Sequence, residues 1–137
     1  MRFVLILLAA VTAAIGLSPA AHAQTPMPDL SGYTEVSAYP YASGDEAYFQ
    51  TPDGLLCAIQ PSRGVAGCDG KLPAALIGAN QIVLSDDVQV RGLRATSTPR
   101  FVKPTGGAAP VLHDGQKLSL GDVECAVGPG ARTACTK

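Results

Sequence analysis

Cys57-Ala58-Ile59-Gln60-Pro61-Ser62-Arg63-Gly64-Val65-Ala66-Gly67-Cys68 and Cys125-Ala126-Val127-Gly128-Pro129-Gly130-Ala131-Arg132-Thr133-Ala134-Cys135 are near copies within one chain. Both begin Cys-Ala and a β-branched residue, place proline fifth, and return through small residues to a second cysteine. A short apolar run, Pro/Gly punctuation and a return run together spell a β-hairpin. All four cysteines of the chain stand at the ends of these two units.

Four cysteines permit three pairings. A repeated unit closes most simply on itself, which favours Cys57–Cys68 and Cys125–Cys135. Hairpin geometry agrees: the first pairing sets Ile59 opposite Ala66 with Ser62-Arg63 at the turn, and the second leaves Pro129-Gly130-Ala131 as a three-residue loop. Each closed loop would add roughly 2.5–3 kcal/mol by chain entropy. The alternative joins Cys57 or Cys68 to one of the later pair.

The start of the chain supplies the oxidising address that disulfides need. Arg2 is followed by an uncharged apolar run, Phe3 to Leu17, and then by Ser18-Pro19-Ala20-Ala21-His22-Ala23. This is the three-part layout of a secretory signal peptide, with cleavage expected after Ala23. The apolar run is short of the roughly 20 residues that a membrane span needs. We therefore divide the chain into a signal peptide (1–23), a partly disordered lead (24–45) and one β-rich domain (46–137). Cleavage removes one of the ten Lys and Arg and none of the eleven Asp and Glu, so nine cations face eleven carboxylates at a formal charge of −2. That balance predicts neither nucleic-acid binding nor stable membrane insertion. The expected address is extracellular or cell wall, and the expected partner an unknown envelope or extracellular molecule.

Turn signals recur along the rest of the chain. Ala42 to Asp45 reads as a turn, and Pro52-Asp53-Gly54 is a strong one. Glu46 to Thr51, Gln81 to Leu84 and Asp87 to Arg91 read as strands, and Val111-Leu112 as the start of another. The one helix-like piece is Pro73-Ala74-Ala75-Leu76-Ile77. Lys117 to Leu120 and Val123 to Val127, joined by Gly121-Asp122, form a two-residue hairpin, and Arg132 to Thr136 the next strand. Short strands with regular turns predict a mainly β fold. It would be a small, disulfide-stapled antiparallel sheet or sandwich, made of two similar cysteine hairpin units at about 46–70 and 113–137.

Catalytic patterns are scarce. One histidine, His113, remains after cleavage, beside the turn Asp114-Gly115. No Cys-x-x-Cys, His-Glu-x-x-His or Gly-x-Ser-x-Gly occurs, so no catalytic residue, metal site or cofactor is assigned. Asp86 and Asp87 are adjacent, and adjacent strand residues point to opposite faces. One charge cluster stands out: Arg91, Arg94, Arg100 and Lys103 lie within thirteen residues that hold no carboxylate. On one face they would hold a phosphate, a sulfate or an acidic glycan. Tyr33, Tyr39, Tyr41, Tyr48 and Phe49 concentrate before the first hairpin and read as core aromatics.

Tyr48-Phe49-Gln50-Thr51-Pro52-Asp53-Gly54-Leu55-Leu56-Cys57, Gly115 to Val127 and Thr133-Ala134-Cys135 resemble small exported proteins of mycobacteria and related actinobacteria that have no assigned function. The likeness reaches, more loosely, from Asp29 to the end. It implies export and a disulfide-held fold, and it brings no substrate. Members often carry a further segment after the last cysteine, where this chain has only Thr136-Lys137. The expected role is a non-enzymatic binding module. The rival readings are an anion- or glycan-binding module using the 91–103 cluster, and a small hydrolase or hydrolase inhibitor.

Overall fold

The computed structural model describes residues 28–72 and 78–137. The signal-peptide segment and the helix-like piece at 73–77 lie outside the described residues. In chain order the strands are β1 (Thr34–Glu35), β2 (Ala42–Ser43), β3 (Glu46–Gln50), β4 (Leu56–Gln60), β5 (Val65–Asp69), β6 (Gln81–Ser85), β7 (Gly92–Arg94), β8 (Gln116–Leu120), β9 (Val123–Gly128) and β10 (Arg132–Thr136). They form a six-stranded sheet in simple sequence order, β2 to β7, and a four-stranded sheet in the order β1-β8-β9-β10. Every strand pairing is antiparallel except β1 with β8.

Both local disulfides are present, Cys57–Cys68 and Cys125–Cys135. The reason is register. In each hairpin the two cysteines are directly opposed across neighbouring strands, with Cα atoms 4.1 Å apart. Ile59 faces Ala66, and Gly128 faces Arg132 across Pro129-Gly130-Ala131. The first turn is four residues, Pro61 to Gly64, with Gly64 in the left-handed region at φ 63°. Glycine adopts that conformation without a Cβ penalty.

The repeat in sequence is a repeat in structure. β3-β4-β5 and β8-β9-β10 are both three-stranded meanders, and each carries one row across its strands: Phe49–Cys57–Cys68 in the first, Leu118–Cys125–Cys135 in the second. Both rows enter a single apolar core, with Ile59 and Val127 beside the bridges and Leu112, Leu55 and Tyr41 filling between. The sheets therefore pack face to face as a sandwich.

The larger sheet is buried on its other face as well. Alternation sends Tyr48, Ala58, Val65 and Val83 to that side, where they form a second cluster with Phe101 and Ala109. The segment 95–110 lies across this face. At the crossing point Phe101 sits on Gly67. A Cβ there would lie 2.5 Å from Phe101 Cζ and inside the contact distance of the Ile82 carbonyl oxygen. Only glycine lets the ring approach.

Four expectations change. The lead read as ending at Asp45 carries ordered elements: Leu30 and Tyr41 are buried, β1 docks on β8, and β2 pairs with β3 across Gly44-Asp45. Ala42-Ser43 is thus a short strand, and the turn is the two residues after it. Asp87 to Arg91 is a turn and not a strand, because Asp87 captures local donors. Its carboxylate accepts from the Gln89 N–H and its carbonyl from the N–H groups of Val90 and Arg91. Val111 makes one parallel bridge to Gln50 instead of starting a ladder.

Candidate functional site

The outer face of the larger sheet ends, at its β7 edge, in a cavity of about 420 Å³. Arg63, Arg94 and Arg100 line it, together with Gln81, Ala95, Thr96, Thr98 and Pro99. Arg94 comes from β7, directly opposite Gln81 of β6. Arg100 comes from the covering segment, and Arg63 from the turn of the first cysteine hairpin.

Two clamps fix the covering segment. Asn80 holds one end: its side-chain amide donates to the Thr96 carbonyl at 2.8 Å and accepts from the Thr96 N–H at 2.9 Å. Asp69 holds the other. Its carboxylate accepts from the Arg100 N–H at 2.7 Å, the Phe101 N–H at 2.5 Å and the Gln81 side-chain amide at 2.7 Å. Asp69 is buried. A buried carboxylate is tolerated when its lone pairs are filled, and here three N–H donors fill them. Between the clamps, Thr96 accepts from the Thr98 N–H and closes a local turn. The arginine-bearing wall is thus held by the sheet, not left as an open loop.

Among the described residues, Arg94 and Arg100 form no ion pair, whereas Arg63 is 3.2 Å from the Glu46 carboxylate. Glu46 belongs to a polar group on the outer face with Tyr48 and Gln60. The Tyr48 hydroxyl donates to Glu46, and the Gln60 amide nitrogen lies 3.3 Å from both. Burial first, and then the bond to Glu46, push the Tyr48 phenol above its usual range. Gln60 Oε1 is buried and has no partner among the described residues.

The four cations singled out in the sequence divide. Arg94 and Arg100 line the cavity; Arg91 and Lys103 do not. Arg91 is exposed on the turn before β7, and Lys103 lies beyond Phe101 in the covering segment. Arg63 was outside the sequence cluster. It lies about thirty positions upstream, and only the order of strands brings it to this face. Thr96, Thr98, Gln81 and the clamp residues Asp69 and Asn80 carry no local motif either. His113 is an exposed residue of the turn before β8, its N–H donating to Gln116.

Chemically, the lining offers guanidinium, hydroxyl and amide donors and contains no carboxylate, histidine or thiol. Such a surface can hold an oxyanion and offers no general base. No protein-family model matches the chain, and no curated protein or solved structure does. The two disulfides accord with an oxidising environment. Among the described residues no helix is long and apolar enough to cross a membrane.

Proposed function

We propose that this chain is an exported, disulfide-held binding domain that captures an oxyanion of the phosphate or sulfate type at the Arg63–Arg94–Arg100 cavity. One observation carries the reading: three guanidinium-bearing side chains line a single cavity that has no acidic residue in its wall. Arginine presents a planar fork of donors suited to two oxygens of one anion. The Asn80 and Asp69 clamps fix the backbone beside Arg100 before any ligand arrives, which lowers the ordering cost of binding. The signal-peptide layout of residues 1–23 supports export, and the four bonded cysteines accord with it. Binding without turnover is favoured because the wall lacks an acid–base pair.

Titration of the purified protein with inorganic phosphate and with sulfate, followed by amide chemical shifts, tests the proposal. Shifts should centre on residues 94–101, and binding should weaken as salt rises. Replacing a charge-assisted partner costs about 1.5–3 kcal/mol, so Arg94→Glu should weaken binding about tenfold or more. Binding indifferent to salt and to Arg94→Glu would rule the site out. A turnover activity abolished by His113→Ala would sink the binding-only reading.

A further inference from the structure

The arginine cavity has an apolar neighbour on the opposite side of one edge strand. β7 is the last strand of the larger sheet and only three residues long. Its Arg94 faces outward toward the cavity, opposite Gln81, while Leu93 faces inward, opposite Ile82. Inward of β7 the edge strand of the smaller sheet, β10, shares a groove with β5, β6 and β7. The groove has a volume of about 820 Å³. Leu72, Ile82, Leu84, Leu93 and the sulfur-bearing residues Cys68 and Cys135 line it. Its charged lining residues are Asp53 and Arg132, one of each sign. Ile82 and Leu93 remain 42% and 49% exposed, side by side on neighbouring strands. Large aliphatic side chains paired at an open groove mark a surface built to be covered.

We infer that the ligand is an anionic amphiphile, a phosphate-type head on a single alkyl chain, with the head in the arginine cavity and the chain passed around β7 into the groove. This rests on the anion-binding reading above and names the rest of the molecule. Charge complementarity selects the occupant. Cations concentrate on one side of β7, and the groove on the other side carries no net charge. The chain must round one short strand only, and Leu93 and Arg94 are consecutive residues. Each feature alone fits many partners. A fixed cationic wall next to a neutral apolar groove fits a molecule with one charged end.

The test is a series of alkyl phosphates of rising chain length, kept below their micelle concentrations, against inorganic phosphate and a neutral alkyl glycoside of matching chain. Isothermal titration gives the affinities, and native mass spectrometry the stoichiometry. Each methylene buried adds about fourfold in affinity, so affinity should climb steeply with chain length at one amphiphile per protein. Leu93→Ser and Ile82→Ser should flatten that climb. Both positions are half-exposed, so these variants should keep the fold, and their amide spectra check it. Arg94→Glu should weaken every phosphate and leave the neutral glycoside no tighter than before. Phosphate binding with no dependence on chain length would overturn the amphiphile while leaving the anion site standing. Tight binding of the neutral glycoside with none of phosphate would overturn both. A protein dimer that hides Ile82 and Leu93 and excludes the alkyl chain would also overturn the inference.

Discussion

Asp69→Ala is the most informative single change in this fold. The carboxylate is buried at the end of β5 and takes three N–H donors, two from the backbone of Arg100 and Phe101 and one from Gln81. Hydrogen bonds to a charged group are worth about 1.5–3 kcal/mol each, and a donor stranded in the interior costs about 1–3 kcal/mol. The three are not additive, because they share one acceptor whose own desolvation is relieved by the mutation. The Arg100 N–H is also only part-buried, and water can reach it. The net loss should be about 3 kcal/mol, a large part of the roughly 5–15 kcal/mol available to a domain. Urea unfolding followed by circular dichroism measures it. The structural prediction is sharper still. With its anchor gone, the Arg100–Phe101 turn should loosen, so hydrogen exchange should accelerate across 99–102 while β8 to β10 stay protected. Phosphate affinity should fall although no lining residue has changed. A loss below about 1 kcal/mol, with exchange at 99–102 unaltered, would show that Asp69 does not hold the covering segment and would refute the account of a preformed wall.

Other outcomes follow from the same packing. Gly67→Ala should cost about 1–3 kcal/mol in the same urea assay, because the new methyl group must displace Phe101 or the β6 backbone. Removing the second bridge with Cys125→Ser and Cys135→Ser should cost about 2.8 kcal/mol from loop entropy, read as a lower urea midpoint. The first bridge should cost more, because Cys57 and Cys68 are both buried and their removal also opens the core. Alkaline unfolding should begin above pH 10. The Tyr41 phenol is raised by burial, and that of Tyr48 by burial and by Glu46. The folded chain keeps these protons where the unfolded chain gives them up, so stability is intact below the ordinary phenol value and declines as pH rises beyond it. Tyr48→Phe should flatten that decline in an equilibrium titration.

Most of the sandwich was legible because its signals are local. The turns at Gly121-Asp122 and Pro129 to Ala131 fixed the bounds of β8, β9 and β10 within a residue. The repeated cysteines fixed the register of β4 and β5. Asp87 to Arg91 misled because its alternation mimics a strand, while the decisive fact is a side chain that bonds its own backbone. The covering segment was beyond local reading. Nothing around Pro99-Arg100-Phe101 announces that it lies on a sheet thirty residues upstream, and Gly67 reads as an ordinary small strand residue until Phe101 rests on it. Two of the cavity's three arginines, Arg94 and Arg100, are visible as part of a run of cations. The third, Arg63, stands in a hairpin turn whose residues signal only its shape.

The local pairing of the cysteines also sets how the molecule would answer a pulling force. Each bridge closes a hairpin on itself, with sequence separations of 11 and 10 residues. A chain stretched from its ends therefore shortcuts both turns. Roughly 70 Å of contour length stays locked at about 3.5 Å per residue, even when every strand has parted. Pulling can peel β2 or β7 away, yet it cannot unzip β4 from β5 or β9 from β10 without reduction. A domain of this kind tethered between neighbours would keep both turns, and with them Arg63, folded back on themselves under load.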